Sequence, residues 1–392
     1  RVMINNKIKE SVSKHNAAMI AFRRELHQHP ELPLHEFETT KRIARELDKL
    51  GIPYRLPEPT GLIAHITGGK PGKTVALRAD IDALPVKEMN QVAYKSVVEG
   101  KMHACGHDTH TAMLLTAAKA LNEVKAELKG SVRLIFQPAE ETAEGALLMI
   151  KQGAIEGVDN VFGMHIWSVT PAGKVSCNAG PVFASADIIT IKFTGRGGHG
   201  SMPHEGIDAA VVASAFVMNA QAIVSRETHP LNGAVFSVGR MDVGRRFNVI
   251  AEEAVLEATV RCFTAQERQR IEAAVRRYAE HTAQMYGATV EINYLHGTLP
   301  VINDEASATL AQSVISEAFG DDALYHERPT TGAEDVSYYM ENIPGCFALL
   351  GTRNASKGSD FAHHHGCFNV DEDTMATGAE LYAQYAWRYL NG

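Results

Sequence analysis

The chain has 392 residues, enough for two domains or one large one, and its 45% apolar and 21% charged composition suits a globular protein with a substantial core. A net charge of −8 argues against nucleic acid and anionic membrane as partners. No apolar run reaches spanning length and no charged-then-apolar leader pattern is present, so a cytoplasmic location is expected.

The first periodic segment is Thr40–Leu50, where Ile43, Leu47 and Leu50 predict a helix stopped by Gly51. Thr74–Arg78 predicts a buried strand that delivers Asp80 and Asp82 at its C-terminal end. Residues 109–124 predict a helix, and Ser131–Gln137 and Val161–Trp167 predict two more strands. Alternation of this kind implies an α/β domain on a mostly parallel sheet, with ligands outside the strand ends. The texture changes near residue 184. A half-exposed strand at Asp187–Phe193 leads through Gly195–Gly198 to a helix over about Ile207–Ser225. Strands at Ala234–Val238 and Ala254–Cys262, a helix at Ala265–Tyr286 and a strand at Thr289–Leu295 follow. The order β-α-β-β-α-β is that of a ferredoxin-like α+β unit. Residues 184–297 are therefore expected to be an insertion, with 1–183 and 298–392 forming one discontinuous catalytic domain that ends in a helix near Asp371–Leu390.

The five cysteines are Cys105, Cys177, Cys262, Cys346 and Cys367. Their odd number and wide spacing argue against a disulfide framework and for a reducing compartment. Eighteen histidines, several beside Asp, Glu or Cys, point to metal chemistry. The strongest local signal is His103, Cys105, His107, Asp108 and His110. Cys and His two apart project to the same side of an extended backbone and can bind one cation. The bland alternative is a loop of surface histidines beside an inert buried thiol. A redox thiol is a further alternative, but Cys105 has no Cys-x-x-Cys partner. Glu140-Glu141, directly after a strand, can divide metal binding from proton transfer, although acids also suit a helix N-terminus. His165 lies inside an apolar strand, where a lone histidine is more often core than ligand. His363-His364-His365 offers at least one more ligand.

Together, LRADIDALP, MHACGHDTHTAMLL, IFQPAEE, MHIW, GRGGHGSMPH, GAEDVSYY and HHHGCFNVDED resemble the M20 metallopeptidase superfamily, amidohydrolase branch, from about Arg23 to the last helix. The resemblance implies two divalent metal ions per subunit on Cys105, His107, Glu141, His165 and His364, with Zn, Mn, Co or Ni as candidates. It implies Glu140 as general acid/base and Asp82 as an acid that steadies the site. Phe368 sets the register that selects His364, while Gly366 departs from the usual Pro. The resemblance further implies a lid and dimerisation role for the insertion, giving a homodimer or homotetramer. His199 of Gly197-Gly198-His199 would donate to the substrate carbonyl of the partner subunit. Asn248 and Arg261 would hold the substrate carboxylate, although Ala251 replaces a common Pro. The expected reaction is hydrolysis of N-acyl amino acids by a metal-activated water. A dipeptidase or carboxypeptidase, and a non-catalytic metal-binding protein, are the alternatives.

Overall fold

The computed structural model describes all 392 residues. The chain opens with helix α1 (Val2–Gln28) and α2 (Phe37–Leu50), which Gly51 ends in a left-handed conformation. Strands β1 (Tyr54–Arg55), β2 (Leu62–Thr67) and β3 (Lys70–Asp80) precede helix α3 (His107–Glu123). Then come β4 (Lys129–Gln137), α4 (Gly145–Lys151), β5 (Asn160–Pro171) and β6 (Val175–Ser176). The next stretch holds β7 (Asp187–Thr194), α5 (Ala209–Ala220), β8 (Ala234–Val243), β9 (Glu253–Cys262), α6 (Ala265–Tyr286) and β10 (Thr289–His296). The chain closes with α7 (Glu305–Phe319), β11 (Gly345–Arg353) and α8 (Met375–Asn391).

Two compact units result: Arg1–Gly180 with Ile302–Arg328 and Asp335–Gly392, and Pro181–Val301 with Pro329–Glu334. The first contains a seven-stranded sheet in the order β1-β2-β4-β3-β5-β11-β6. Its four central strands are parallel, whereas β1, β2 and β6 join antiparallel, so the sheet is mixed rather than mostly parallel. β1 and β6 have two residues each, too few to register as alternation, and β2 is buried on both faces over residues 62–64 and so does not alternate. Antiparallel strands can extend a parallel sheet without a crossover helix. Helix α1 also escaped the sequence reading. Its buried stripe of Ile4, Ile8, Val12, Met19, Phe22 and Leu26 is interrupted by buried Ser11, Arg23 and His27. Helix α3 is almost entirely buried and packs against α1 and α8.

Buried polar bonds fix this core. Tyr382 Oη donates to the carbonyl of Arg78 at 2.7 Å, and Tyr385 Oη to Asn160 Oδ1 at 2.7 Å. The Phe162 ring stacks on Tyr385 with centroids 4.2 Å apart.

The second unit contains an antiparallel sheet, β8-β9-β7-β10, packed on α5 and α6. Inward residues of β7 (Ile189, Ile191, Phe193) meet Phe216 of α5 and Ile271 and Val275 of α6. Asp208 and Thr264 cap the two helices by accepting from the backbone N–H of Ala210 and Glu267. The helix expected over Ile207–Ser225 is broken at Gln221, after which only a single turn, Ala222–Ser225, continues.

Phe162→Ala would remove a fully buried ring from between β5 and α8. It is expected to cost roughly 3–5 kcal/mol, seen as a lower urea midpoint of the metal-free protein. An unchanged midpoint would contradict the packing role.

Candidate metal centre

The first unit gathers acidic and imidazole groups at the C-terminal ends of its parallel strands. β3 ends at Asp80 and leads to Asp82, β4 leads to Glu140 and Glu141, and β5 carries His165. Cys105 and His107 flank Gly106, which caps α3 at φ 84°. A Cβ there would lie 2.6 Å from the Ile166 side chain, so only glycine allows this entry into the helix. The Glu140–Glu141 turn is held by a second close approach. A Cβ on Gly145 would lie 1.5 Å from the Pro138 carbonyl oxygen, and the Gly145 N–H donates to the Ala139 carbonyl at 3.0 Å. The acidic pair therefore lies in a turn ahead of α4 rather than in its first residues.

Ligand atoms of Cys105, His107 and His165 lie within 4.8 Å of one another, as do those of Cys105, Glu141 and His364. Cys105 belongs to both groups. His107, Glu140 and Glu141 form a third, and Asp80, His107 and His110 a fourth. His103 joins none of them; it is buried, and burial pushes its imidazole down to about 3.

Hydrogen bonds separate the histidines by role. His107 Nδ1 donates to Asp82 Oδ1 at 3.1 Å, and His165 Nδ1 to the Ile166 carbonyl at 2.5 Å. Each ring thereby has its Nδ1 proton fixed and turns Nε2 toward the site, His107 giving up its second proton when a cation binds. His110 differs, because Nδ1 donates to Asp80 Oδ1 at 2.6 Å while Nε2 accepts from the Ile166 N–H at 2.9 Å. Neither nitrogen is left for a metal. In the C-terminal triplet, His363 Nε2 accepts from the Ser168 N–H and His365 Nδ1 from the Cys367 N–H. His364 instead points Nε2 at Glu141 Oε1, 3.3 Å away. Its backbone, at φ 71°, is tied to the Ala104 carbonyl by a 2.7 Å bond. Asp82 is buried and also accepts the Glu141 N–H on Oδ2 at 3.0 Å, so one carboxylate orients two candidate ligands.

A divalent cation fits this donor set. His107 Nε2, Glu141 Oε1 and Asp80 Oδ2 are buried without a hydrogen-bond partner, and unsatisfied buried polar atoms are costly. Burial lowers the basicity of His107, but Asp80, Asp82 and Glu141 outweigh it and push the ring up to about 10. Burial, with Glu141, Glu140 and Asp80 close by, drives the Cys105 thiol well up. The His107 shift reflects the negative charge around it, and the Cys105 shift is first an effect of burial, to which the same acids add. Glu140 Oε2 lies 3.9 Å from His107 Nε2.

Around the centre, Asp108 of the Cys-His cluster is held by groups without a signal of their own in the sequence. Buried Arg23 pairs with Asp108 at 2.9 Å, and His27 bridges Asp108 and Glu88 at 2.9 and 2.8 Å. Burial pushes the Asp108 carboxyl up, but Arg23, His103 and His27 hold it well below the usual carboxylate range. Arg78 donates to Gln137 Oε1 and Asp335 Oδ1, and Asp335 also accepts the Ala146 N–H. Arg78, a charged residue inside the apolar end of β3, was the one available signal; Arg23 and His27 lie in α1 and had none.

His199, Asn248 and Arg261 belong to the second unit. His199 pairs with Val249 in a two-residue ladder, and the Gly200 N–H donates to the Asn248 carbonyl at 2.8 Å, which places His199 and Asn248 side by side. His199 Nδ1 accepts from Ser201 N–H and Oγ–H, so its Nε2–H is the free donor. Arg261 Nε donates to Thr259 Oγ1 and its Nη1 to the Thr331 carbonyl.

Residues 76–388 match the model of peptidase family M20/M25/M40. Thermostable carboxypeptidase 2 of Saccharolobus solfataricus is 39% identical over 98% of both chains. N-acetylcysteine deacetylase of Bacillus subtilis is 40% identical over 94% of this chain and 96% of its own. The crystal structure of Bacillus subtilis YXEP, a dinuclear metal binding peptidase of the M20 family, superposes with a TM-score of 0.86 at 36% identity, covering 96% of this chain and 99% of that one. The chain has the fold of a metal-dependent hydrolase acting on amide bonds. It belongs to peptidase family M20/M25/M40, on the amidohydrolase branch.

Because His107 and Cys105 hold protons in the absence of metal, cation uptake must displace them. At pH 7.5, loading chelator-treated protein with Zn²⁺ is expected to release roughly two protons per chain. Calorimetry in buffers of different ionisation enthalpy measures this directly, and uptake without proton release would contradict the assignment.

Proposed function

We propose that this protein hydrolyses the amide bond of N-acylated amino acids, giving a carboxylic acid and a free amino acid. The observation that carries the reading is the pair of donor groups meeting at Cys105, with the Glu140 carboxylate beside them. Cys105, His107, Glu141, His165 and His364 would hold two divalent ions. Mixed thiolate, imidazole and carboxylate donors suit Zn, with Mn, Co or Ni as alternatives. When bound, such a pair acidifies a water and polarises the acyl carbonyl.

The chain's own groups do the rest. The Glu140 carboxylate takes a proton from the attacking water and returns it to the leaving amine nitrogen. Asp82 keeps the His107 proton on Nδ1 and fixes the Glu141 backbone, so the donors do not reorganise during the reaction. His199 donates its Nε2–H to the developing oxyanion from the partner subunit. Asn248 and Arg261 receive the substrate carboxylate, for which a guanidinium fork is suited. In this reading residues 184–297 are a lid and dimerisation module inserted into a catalytic domain of 1–183 and 298–392, and the assembly is a homodimer or homotetramer. Likeness to N-acetylcysteine deacetylase supports the acyl-amino-acid substrate. Likeness to a thermostable carboxypeptidase favours a second reading, in which the same centre cleaves peptides from the C-terminus.

Hydrolysis of acetyl- and benzoyl-amino acids compared with dipeptides separates the two. The acyl-amino acids are expected to be cleaved faster, and a preference for dipeptides would overturn the main reading. Glu140→Gln is expected to retain metal while turnover falls about 10²–10⁴-fold. Near-wild-type turnover in that variant would remove Glu140 from its role.

A further inference from the structure

His363 precedes a proposed ligand, yet its Nε2 faces the backbone rather than a cation. Its Nε2 lies 3.1 Å from the backbone N–H of Ser168. A backbone amide can only donate, so Nε2 must carry a lone pair and the ring proton sits on Nδ1. That Nδ1–H lies 3.7 Å from Cys105 Sγ, within reach of a hydrogen bond to sulfur. The ring cannot easily leave this position. Trp167 lies against it with centroids 5.0 Å apart, Phe368 at 4.9 Å and His165 at 5.2 Å.

We propose that His363 is a positioning residue that donates a hydrogen bond to the Cys105 thiolate. The inference rests on Cys105 being a metal ligand, as proposed above, and adds a second contact to its sulfur. A thiolate has several lone pairs, and one shared between two cations still has electron density to place. A fixed N–H donor withdraws some of it and holds the Cys105 side chain in the rotamer that faces both donor groups. Partners of this kind behind a ligand are typically worth about 10–100-fold in metal affinity. The arrangement also explains the adjacent histidines: His364 faces the ions, and His363 faces the sulfur that serves them.

Two substitutions divide the ring's two bonds. Asn in place of His363 puts an N–H₂ near the Nδ1 position and keeps the donor to sulfur. Gln reaches the Nε2 position, where its amide oxygen can accept from Ser168 while the sulfur loses its donor. The experiment loads wild type, His363→Asn, His363→Gln and His363→Leu with Co²⁺ and records the thiolate-to-cobalt charge-transfer absorption and the Co²⁺ dissociation constant. Circular dichroism of each metal-free variant verifies folding. The band is expected to shift to longer wavelength in the Gln and Leu variants, where a sulfur lone pair is released. Their Co²⁺ affinity is expected to fall about tenfold or more, with the Asn variant staying near wild type. A band present in wild type and unmoved in folded Gln and Leu variants would overturn the role of His363 alone. Absence of any thiolate band in the wild-type protein would instead overturn Cys105 as a ligand, and the inference with it.

Discussion

A neutral imidazole has one proton and one lone pair, and in a buried site the partner of the first decides the direction of the second. This constraint organises the centre. Asp82 and the Ile166 carbonyl each take a proton from Nδ1 and leave His107 and His165 with Nε2 available. The Ile166 and Ser168 N–H groups do the reverse, occupying the acceptor nitrogens of His110 and His363. One strand, β5, thus supplies a candidate ligand, the carbonyl that orients it and the amides that occupy two neighbouring rings.

The fold makes this possible by ending its parallel strands on one side. Asp80, the Glu140–Glu141 turn and His165 arrive from three adjacent strands, and the α3 N-terminus brings Cys105 and His107 across them. Holding several carboxylates together in a buried place is electrostatically expensive without cations. Among the surrounding groups Arg23 pairs with Asp108, and Arg78 is shared between Asp335 and Asp80, so the inner acids are only partly compensated. Breaking such a pair leaves an uncompensated buried charge, so these supports are as constrained as the ligands.

Much of this was legible in the sequence. Short apolar runs leading to acids marked β3 and β4, an apolar run around His165 marked β5, and the Cys-Gly-His spacing marked the entrance to α3. Other features lacked a local signal. Helix α1 hides behind Arg23 and His27, polar residues that are buried only because Asp108 and Glu88 lie far along the chain to receive them. The antiparallel additions β1 and β6 are too short for alternation to register, and β2 is buried on both faces over residues 62–64. The sorting of His110 and His363 away from the metal depends on backbone amides of β5, which no spacing rule contains. His364 was selected by register with Phe368, and the structure orients it toward Glu141 while its neighbours bond elsewhere.

The central claim is that Cys105 joins two donor groups into one dinuclear centre. Anomalous diffraction from crystals of the metal-loaded protein, collected above and below the absorption edge of the added ion, tests it most directly. The account predicts two peaks per chain that share Cys105 Sγ, with His107, His165, Glu141 and His364 completing them and His110 and His363 outside. A single peak, or ions held by His110 or His363 with the Cys105 sulfur turned away, would contradict it.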